Sequence, residues 1–430
     1  MDERFRPLYN AAFSADLYER YRDALTRRVG PLGFRVAETP VFLPAHFRTI
    51  CAQAASEIID QLCEPKRIEC MKAAVPPAYR APGLQELPQF LILDFAVVRD
   101  SDGALRPQLI ELQGFPSLMA FEVMQRDAWV EVIRQIPGLD REWSSWYSGR
   151  DRDAFLKLAR KVILGDHAPE QVVLMDLDPP TQKTAVDFSA TKTFFDVDAI
   201  CPTDVIKRGK RLYRRPNASQ HEIPIERIYN RLIMDEVERK GTTLPFDLRE
   251  DLDVEWAPHP NWFFIWSKYS LPFLEHPAVP KTIFLSDLSQ TPDDVTRYVL
   301  KPLFSFAGGG VNVMPSAADL NAIPREHRSA WCLQEKVEYT PVLPTTDGGA
   351  AKVELRMMFL RPDGEKDFIA AENLCRLSRG TMFGVDFNKE LGWVGSTVGI
   401  WPADEVVGSI GDVASVERED VGNCVTLSLS

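Results

Sequence analysis

The chain has 430 residues, 45% of them hydrophobic and 26% charged, the profile of a globular protein of two or three domains rather than a disordered or fibrous one. A formal net charge of −12 argues against a broad nucleic-acid surface, which needs clustered Lys and Arg, but leaves room for a local basic pocket. Seven cysteines without a CxxC pair indicate neither a zinc site nor a disulfide framework; the mixed-charge start and the lack of a long apolar run point to a cytoplasmic protein with no membrane span.

Residues 1–85 read as a helical segment. Ala12 to Arg28 and Leu43 to Leu62 place apolar residues at three- and four-residue intervals, and Glu64-Pro65 and Pro76-Pro77 mark exits from helix. A second unit, 86–145, opens at Pro88. Gln89 to Val98 is strand-like, Asp100 to Gly103 is a turn, Gln108 to Gln113 is a second strand, and a helix follows from about Leu118 to Gln135. On a period-two strand Glu111 and Gln113 share a face, and Asp94 on the adjoining strand can join them. Two carboxylates and an amide then form either an oxygen-rich site for Mg²⁺ or the solvent side of a half-exposed hairpin. The apolar run around Asp94 favours the metal.

Residues 150–250 alternate helix and strand: Asp153 to Leu164, Val172 to Pro179, Gln182 to Phe195 and Asp198 to Ile206. That rhythm predicts a small parallel α/β unit. Asp176 and Asp178 read as a strand-end turn, residues 207–222 as an exposed basic loop, and Ile225 to Lys240 as an amphipathic helix. The aromatic run Glu255 to Trp266 reads as packing, with His259 held in a rigid turn between two prolines.

Residues 255–405 carry most of the candidate chemistry. Tyr298 to Met314 reads as strand, glycine tip and strand, with Lys301 at the end of the first strand and Gly308, Gly309 and Gly310 in the tip. A lysine beside such a tip suits a polyphosphate; the alternative is an ordinary hairpin with a surface lysine. Gln334 and Glu335 close a short strand. Glu354 and Arg356 alternate onto one face of another, which a turn at Arg361 to Gly364 joins to Asp367 to Ala371. Arg376 and Arg379 lead into a glycine-punctuated stretch that fits anion binding, and residues 406–430 read as a polar tail. Phosphate-loop, dinucleotide-fold, hydrolase-elbow and zinc-protease motifs are all absent.

Taken together, Val299-Leu-Lys-Pro302 with Gly308 to Gly310, then Leu333-Gln-Glu335, then Glu354-Leu-Arg356, resemble the nucleotide-binding half of ATP-grasp enzymes. In that family the metal-binding Asp and Glu-x-Asn normally follow the lysine. Here Asp94 and Glu111-Leu-Gln113 precede it, an order that resembles the circularly permuted, glutathionylspermidine synthase-like members. Gln113 stands where Asn is expected. The resemblance spans about 88–125 and 260–400. It implies an α+β (α/β) ATP-grasp fold whose two lobes clasp ATP, circularly permuted, with an N-terminal helical segment and a small α/β unit inserted mid-chain. It also implies an ADP-forming ligase that joins a small-molecule carboxylate to an amine or thiol through an acyl phosphate, or else a scaffold that binds nucleotide without turnover. The resemblance places Lys301, Gly308, Gly309 and Gly310 on the ATP phosphates, and Gln334 and Glu335 on adenosine. Lys268, Glu354 and Arg356 complete the nucleotide set, Asp94, Glu111 and Gln113 hold Mg²⁺, and Arg376 or Arg379 holds the acyl phosphate.

Overall fold

Local capping already decides the first helices. A computed structural model describes residues 1–215, 221–305, 309–380, 383 and 390–405. The helix expected over Ala12 to Arg28 is α2 (Ala15–Val29), and a separate helix, α1 (Arg6–Ala12), precedes it. Ser14 causes the break: its backbone is extended, and its hydroxyl accepts from the Leu17 N–H at 3.1 Å, which starts a new helix. α3 (Ala45–Leu62) follows, then the antiparallel pair β1 (Phe90–Arg99) and β2 (Leu105–Gln113). α4 (Met119–Ile133) begins only after Leu118, a non-glycine residue at φ 59°.

The middle of the chain builds a four-stranded parallel sheet. Its elements are α5 (Arg152–Leu164), β3 (Val172–Met175), α6 (Ala185–Phe195), β4 (Asp198–Ile200), β5 (Arg227–Asn230), α7 (Met234–Arg239) and β6 (Glu255–Ala257), with strand order β6-β5-β3-β4. This corrects the expected helix over Ile225 to Lys240. Arg227 to Asn230 is wholly buried between β3 and β6, and ladder pairing on both edges overrides the helical spacing of its apolar residues. The basic stretch before it is also more ordered than a loop: Ile206–Arg208, Arg211–Arg214 and Ile223–Ile225 form an antiparallel ribbon, with Glu222 bridging Arg208 and Arg215.

Two further sheets frame the candidate residues. β7 (Thr282–Phe284), β8 (Tyr298–Pro302) and β9 (Trp331–Glu335) form a small antiparallel sheet in the order β7-β9-β8. Here the expected hairpin is corrected. β8 pairs along its length with β9, whereas the return after the glycines makes a single bridge, Leu300 to Asn312. Gly310, at φ 71°, supplies the turn, and a Cβ there would press on Pro302 at 3.1 Å. Gly308 lies outside the described residues, as does the tail 406–430. β10 (Ala350–Leu360), β11 (Ile369–Ser378) and β12 (Gly395–Thr397) join β1 and β2 in the large antiparallel sheet, order β12-β11-β10-β1-β2, with Pro341–Pro344 added on β10. Strands more than 240 residues apart in sequence thus lie side by side, Asp94 directly across from Arg356. Among the described residues no helix is long and apolar enough to cross a membrane.

Candidate functional site

Register places the charged residues of the large sheet in two adjacent rows on one face. Glu111, Asp94 and Arg356 stand opposite one another across β2, β1 and β10; one step along, Glu354 on β10 faces Arg376 on β11. Between Asp94 and Phe95 the β1–β2 register slips by one residue, and Ile110 is the residue left over. Its carbonyl, no longer needed by the ladder, accepts from Lys301 Nζ at 2.9 Å. The bulge therefore supplies one of the bonds that join the large sheet to the small one.

Asp94 is buried and receives both Arg356 Nε and Nη2 at 2.7 Å, with Arg376 Nη2 on the second oxygen at 2.7 Å. Burial alone would raise its carboxyl, but the two guanidiniums outweigh burial and hold it below the usual carboxylate value. Glu354, which pairs with Arg376 and accepts from the Tyr339 hydroxyl at 2.8 Å, moves the other way: burial, with the nearby Asp94 charge, pushes it up. Glu111 accepts from Lys268 Nζ at 2.9 Å, and Lys268 also donates to the Ser305 carbonyl at 2.6 Å. Lys301 donates to the Gln334 side chain as well as to Ile110, and burial lowers its amine below the usual lysine value.

Two cavities open on this cluster. One, of about 240 Å³, is lined by Lys268, Lys301, Gln334, Glu335, Glu354 and, from the return segment, Val311, Val313 and Met314. The other, of about 550 Å³, is lined by Gln113, Phe115, Asp176, Arg231, Arg356 and Leu374 among others. Glu111, Arg376 and Phe383 line both. Among the described residues each lysine has two hydrogen-bond acceptors in the protein, and as an ammonium it carries a third N–H, available to the first cavity. Around the boundary, carboxylates Asp94, Glu111 and Glu354 meet cations Lys268, Lys301, Arg356 and Arg376, an excess of positive charge suited to an anion.

The structure thus brings together Lys268, Lys301, Gln334, Glu335, Glu354, Arg356, Asp94, Glu111, Gln113 and Arg376. Gly309 and Gly310 lie in the exposed turn after β8 and line neither cavity. Arg379 is directed elsewhere: three residues beyond Arg376 and past the end of β11, it pairs with Asp347 and lines neither cavity. Gln334 is turned into the interface, its amide nitrogen donating to the Leu109 carbonyl at 3.4 Å and its oxygen held by Lys301. Two contributors went unread in the sequence. Ser117 lies just before the expected helix, and its hydroxyl accepts from Arg356 Nη1 at 3.2 Å. Tyr339, on Glu354 and stacked on Phe383 at 4.4 Å, carries no local signal at all.

The three residues expected to hold Mg²⁺ do not fit it as a set. Both Asp94 oxygens already accept from arginine, one Glu111 oxygen accepts from Lys268, and Gln113 donates to the Phe115 carbonyl at 3.1 Å. Among the described residues one Glu111 oxygen and the Gln113 amide oxygen remain, a sparse donor set for a cation that demands near-octahedral oxygen ligation. Among the described residues no group of three or more His, Cys, Asp or Glu could hold a metal ion.

No family model matches the chain, and no curated protein matches it. Among solved structures, a glutathione synthetase-like effector from Globodera pallida, in its apo form, is similar in fold, with a TM-score of 0.51 at 11% sequence identity over 84% of this chain and 94% of that one. The mixed α+β architecture described above is therefore one that a glutathione synthetase-like protein also adopts.

Proposed function

We propose that this chain is an ATP-dependent ligase of circularly permuted ATP-grasp type, joining a small-molecule carboxylate to an amine through an acyl phosphate in the cytoplasm. One observation carries the proposal: the two cavities meet at Glu111 and Arg376. A nucleotide in the smaller cavity and a carboxylate in the larger would share that boundary. The pairing of the Asp94 and Glu111 strands with the Glu354-Leu-Arg356 strand supports the permuted order, and the likeness to a glutathione synthetase-like fold supports the reaction class.

In this scheme a carboxylate oxygen attacks the terminal phosphorus of ATP, the bond to the bridging oxygen breaks, and ADP leaves. The amine nitrogen, as the free base, then attacks the acyl carbon, the carbon–oxygen bond to phosphate breaks, and the departing phosphate takes the proton that the nitrogen loses. The protein's part is positioning and charge neutralisation. Lys268 and Lys301 hold the phosphates with their third N–H groups, Glu335 and the segment after it meet the nucleoside, and Arg376 faces the transferred group. Arg356 and Asp94 fix Arg376 in place. Because the expected metal ligands do not form a set, no step is assigned to a metal.

Asp94's double engagement favours a second reading, a nucleotide-binding scaffold without turnover. Calorimetric titration with ATP, in Mg²⁺ and in EDTA, combined with ADP release across pooled carboxylates and amines, separates the two. Binding with ADP release is the expected result. Saturable binding without ADP in any pool would establish the scaffold, and no binding in either buffer would defeat both.

A further inference from the structure

Lys301 donates to the Ile110 carbonyl at 2.9 Å and Lys268 to Glu111 Oε1 at 2.9 Å, so two ammonium groups rest on consecutive residues of β2, at its bulge. Both lysines line the smaller cavity, and Arg376, held by Asp94 and Glu354, lines it where it meets the larger one. The acids of this region are already committed. Asp94 is 2% exposed and lines neither cavity. A metal could take its oxygens only by displacing both guanidiniums, which would leave the buried Arg356 without its carboxylate partner. Glu354 accepts from Arg376 on one oxygen and from the Tyr339 hydroxyl on the other. Among the described residues nothing bonds the second oxygen of Glu111. A divalent ion there would share its carboxylate with the Lys268 ammonium, and the two like charges would repel.

We propose that the smaller cavity binds the polyphosphate of a nucleotide free of divalent metal, with the Lys268 ammonium standing on Glu111 in the place of a metal ion. Lys268 and Lys301 each bring a third N–H to the phosphate oxygens, and an ammonium supplies charge and donors without the octahedral shell that Mg²⁺ demands. Glu335 and Glu338, the other acids that line this cavity, come from the end of β9 and the segment after it, where the nucleoside is proposed to lie. The inference rests on the reading of this cavity as a nucleotide site and on nothing about turnover. Mg²⁺ on the phosphates would remove charge that the lysines otherwise neutralise, so the metal should weaken binding rather than strengthen it.

The test is calorimetry of the full chain with ATP and with inorganic triphosphate, each in EDTA and in excess Mg²⁺ at matched ionic strength. The wild type should bind both at least as tightly in EDTA as in Mg²⁺. Lys268→Ala should lose about tenfold or more in EDTA, the scale of a charge-assisted bond, and should regain affinity when Mg²⁺ is added, because Glu111 then has both oxygens for a metal. Lys268→Arg, which keeps the cation, should behave as the wild type does. Wild-type binding that requires Mg²⁺ overturns the inference and leaves the nucleotide reading standing. Lys268→Ala that binds as tightly as the wild type in EDTA overturns it too. If neither ligand binds in either buffer, the nucleotide reading falls with it. Should Lys268→Ala fail to fold, the wild-type comparison between the two buffers decides alone.

Discussion

Lys301 is held by two protein acceptors, so its removal has a structural consequence as well as a functional one. Lys301→Met keeps the aliphatic bulk but leaves the Ile110 carbonyl and the Gln334 oxygen without their donor. The expected loss is about 2–4 kcal/mol of stability in urea denaturation, one buried unsatisfied acceptor at each end. ATP affinity should fall with it, and a variant as stable as the wild type would mean that those bonds are not made. Asp94 is a sharper case. As a metal ligand its replacement by Asn would cost little stability; as the anion between two arginines it should cost about 3–5 kcal/mol, because a buried cation loses its partner. The pH dependence separates the two roles further. The folded carboxyl lies below its ordinary value near 3.8, so its stabilisation is complete above that value and disappears as pH falls through the lower, folded one. Asp94→Asn should therefore remove part of the wild type's acid sensitivity in melts between neutral pH and strong acid. The face shared by Asp94 and Glu111 was legible from strand alternation. Arg356, 262 residues further along, was legible as a candidate but not as Asp94's partner, because spacing within a strand says nothing about which distant strand will lie beside it.

Where α4 crosses β11, two acids are packed in the interior with little to balance them. Glu122 and Glu372 are each 1% exposed, and one Glu372 oxygen has no hydrogen bond. Gln125, with its amide turned so that nitrogen faces Glu122, can donate to both Glu122 oxygens at 3.1 and 3.2 Å. Burial, and then repulsion from neighbouring carboxylates, raises both acids well above their ordinary 4.5. A proton is thus retained in the folded state at pH values where the unfolded chain has lost it. Stability from this pair is full below about 4.5 and declines as pH rises toward the folded values. Glu372→Gln keeps the shape and removes the ionisation, so it should raise stability at pH 8 by about 1–3 kcal/mol, the scale of a buried group relieved of its penalty. The gain should shrink toward pH 5 in the same chemical denaturation series. A gain that is constant with pH would place the effect in packing instead. The element scale also marks where sequence reading stopped. Ile228, Leu232, Ile233 and Val237 share helical spacing, yet the first belongs to a strand buried on both faces, for which periodicity is silent. Three consecutive glycines suggested a hairpin, but β8 found its partner in β9, about thirty residues away, through pairing that turn chemistry does not encode.

At the scale of the molecule, the lobe that carries Lys301 has the thinnest core. Leu285, Val295, Leu300, Leu320 and Leu333 make up its principal buried cluster, whereas the large sheet is covered on both faces by extensive clusters that also take in the helices and the small parallel sheet. Local stability follows buried apolar contact, so β7, β8 and β9 should open at lower free energy than β1, β10 and β11. Native-state hydrogen exchange should show amides of residues 298–302 and 331–335 exchanging ahead of those of residues 90–98 and 353–360. The bonds from Lys301 to Ile110, and from Lys268 to both Glu111 and Ser305, tether this lobe to the large sheet through charged groups that also line the smaller cavity. An anion bound there would add acceptors for both lysines at once and lower the free energy of the closed arrangement relative to the open one. Saturating ATP should then slow exchange in β8 and β9 selectively and leave residues 353–360 almost unaffected. Equal exchange in the two sheets without nucleotide would refute the thin-core argument. Slowing confined to the large sheet would show that ATP binds somewhere other than the Lys301 wall.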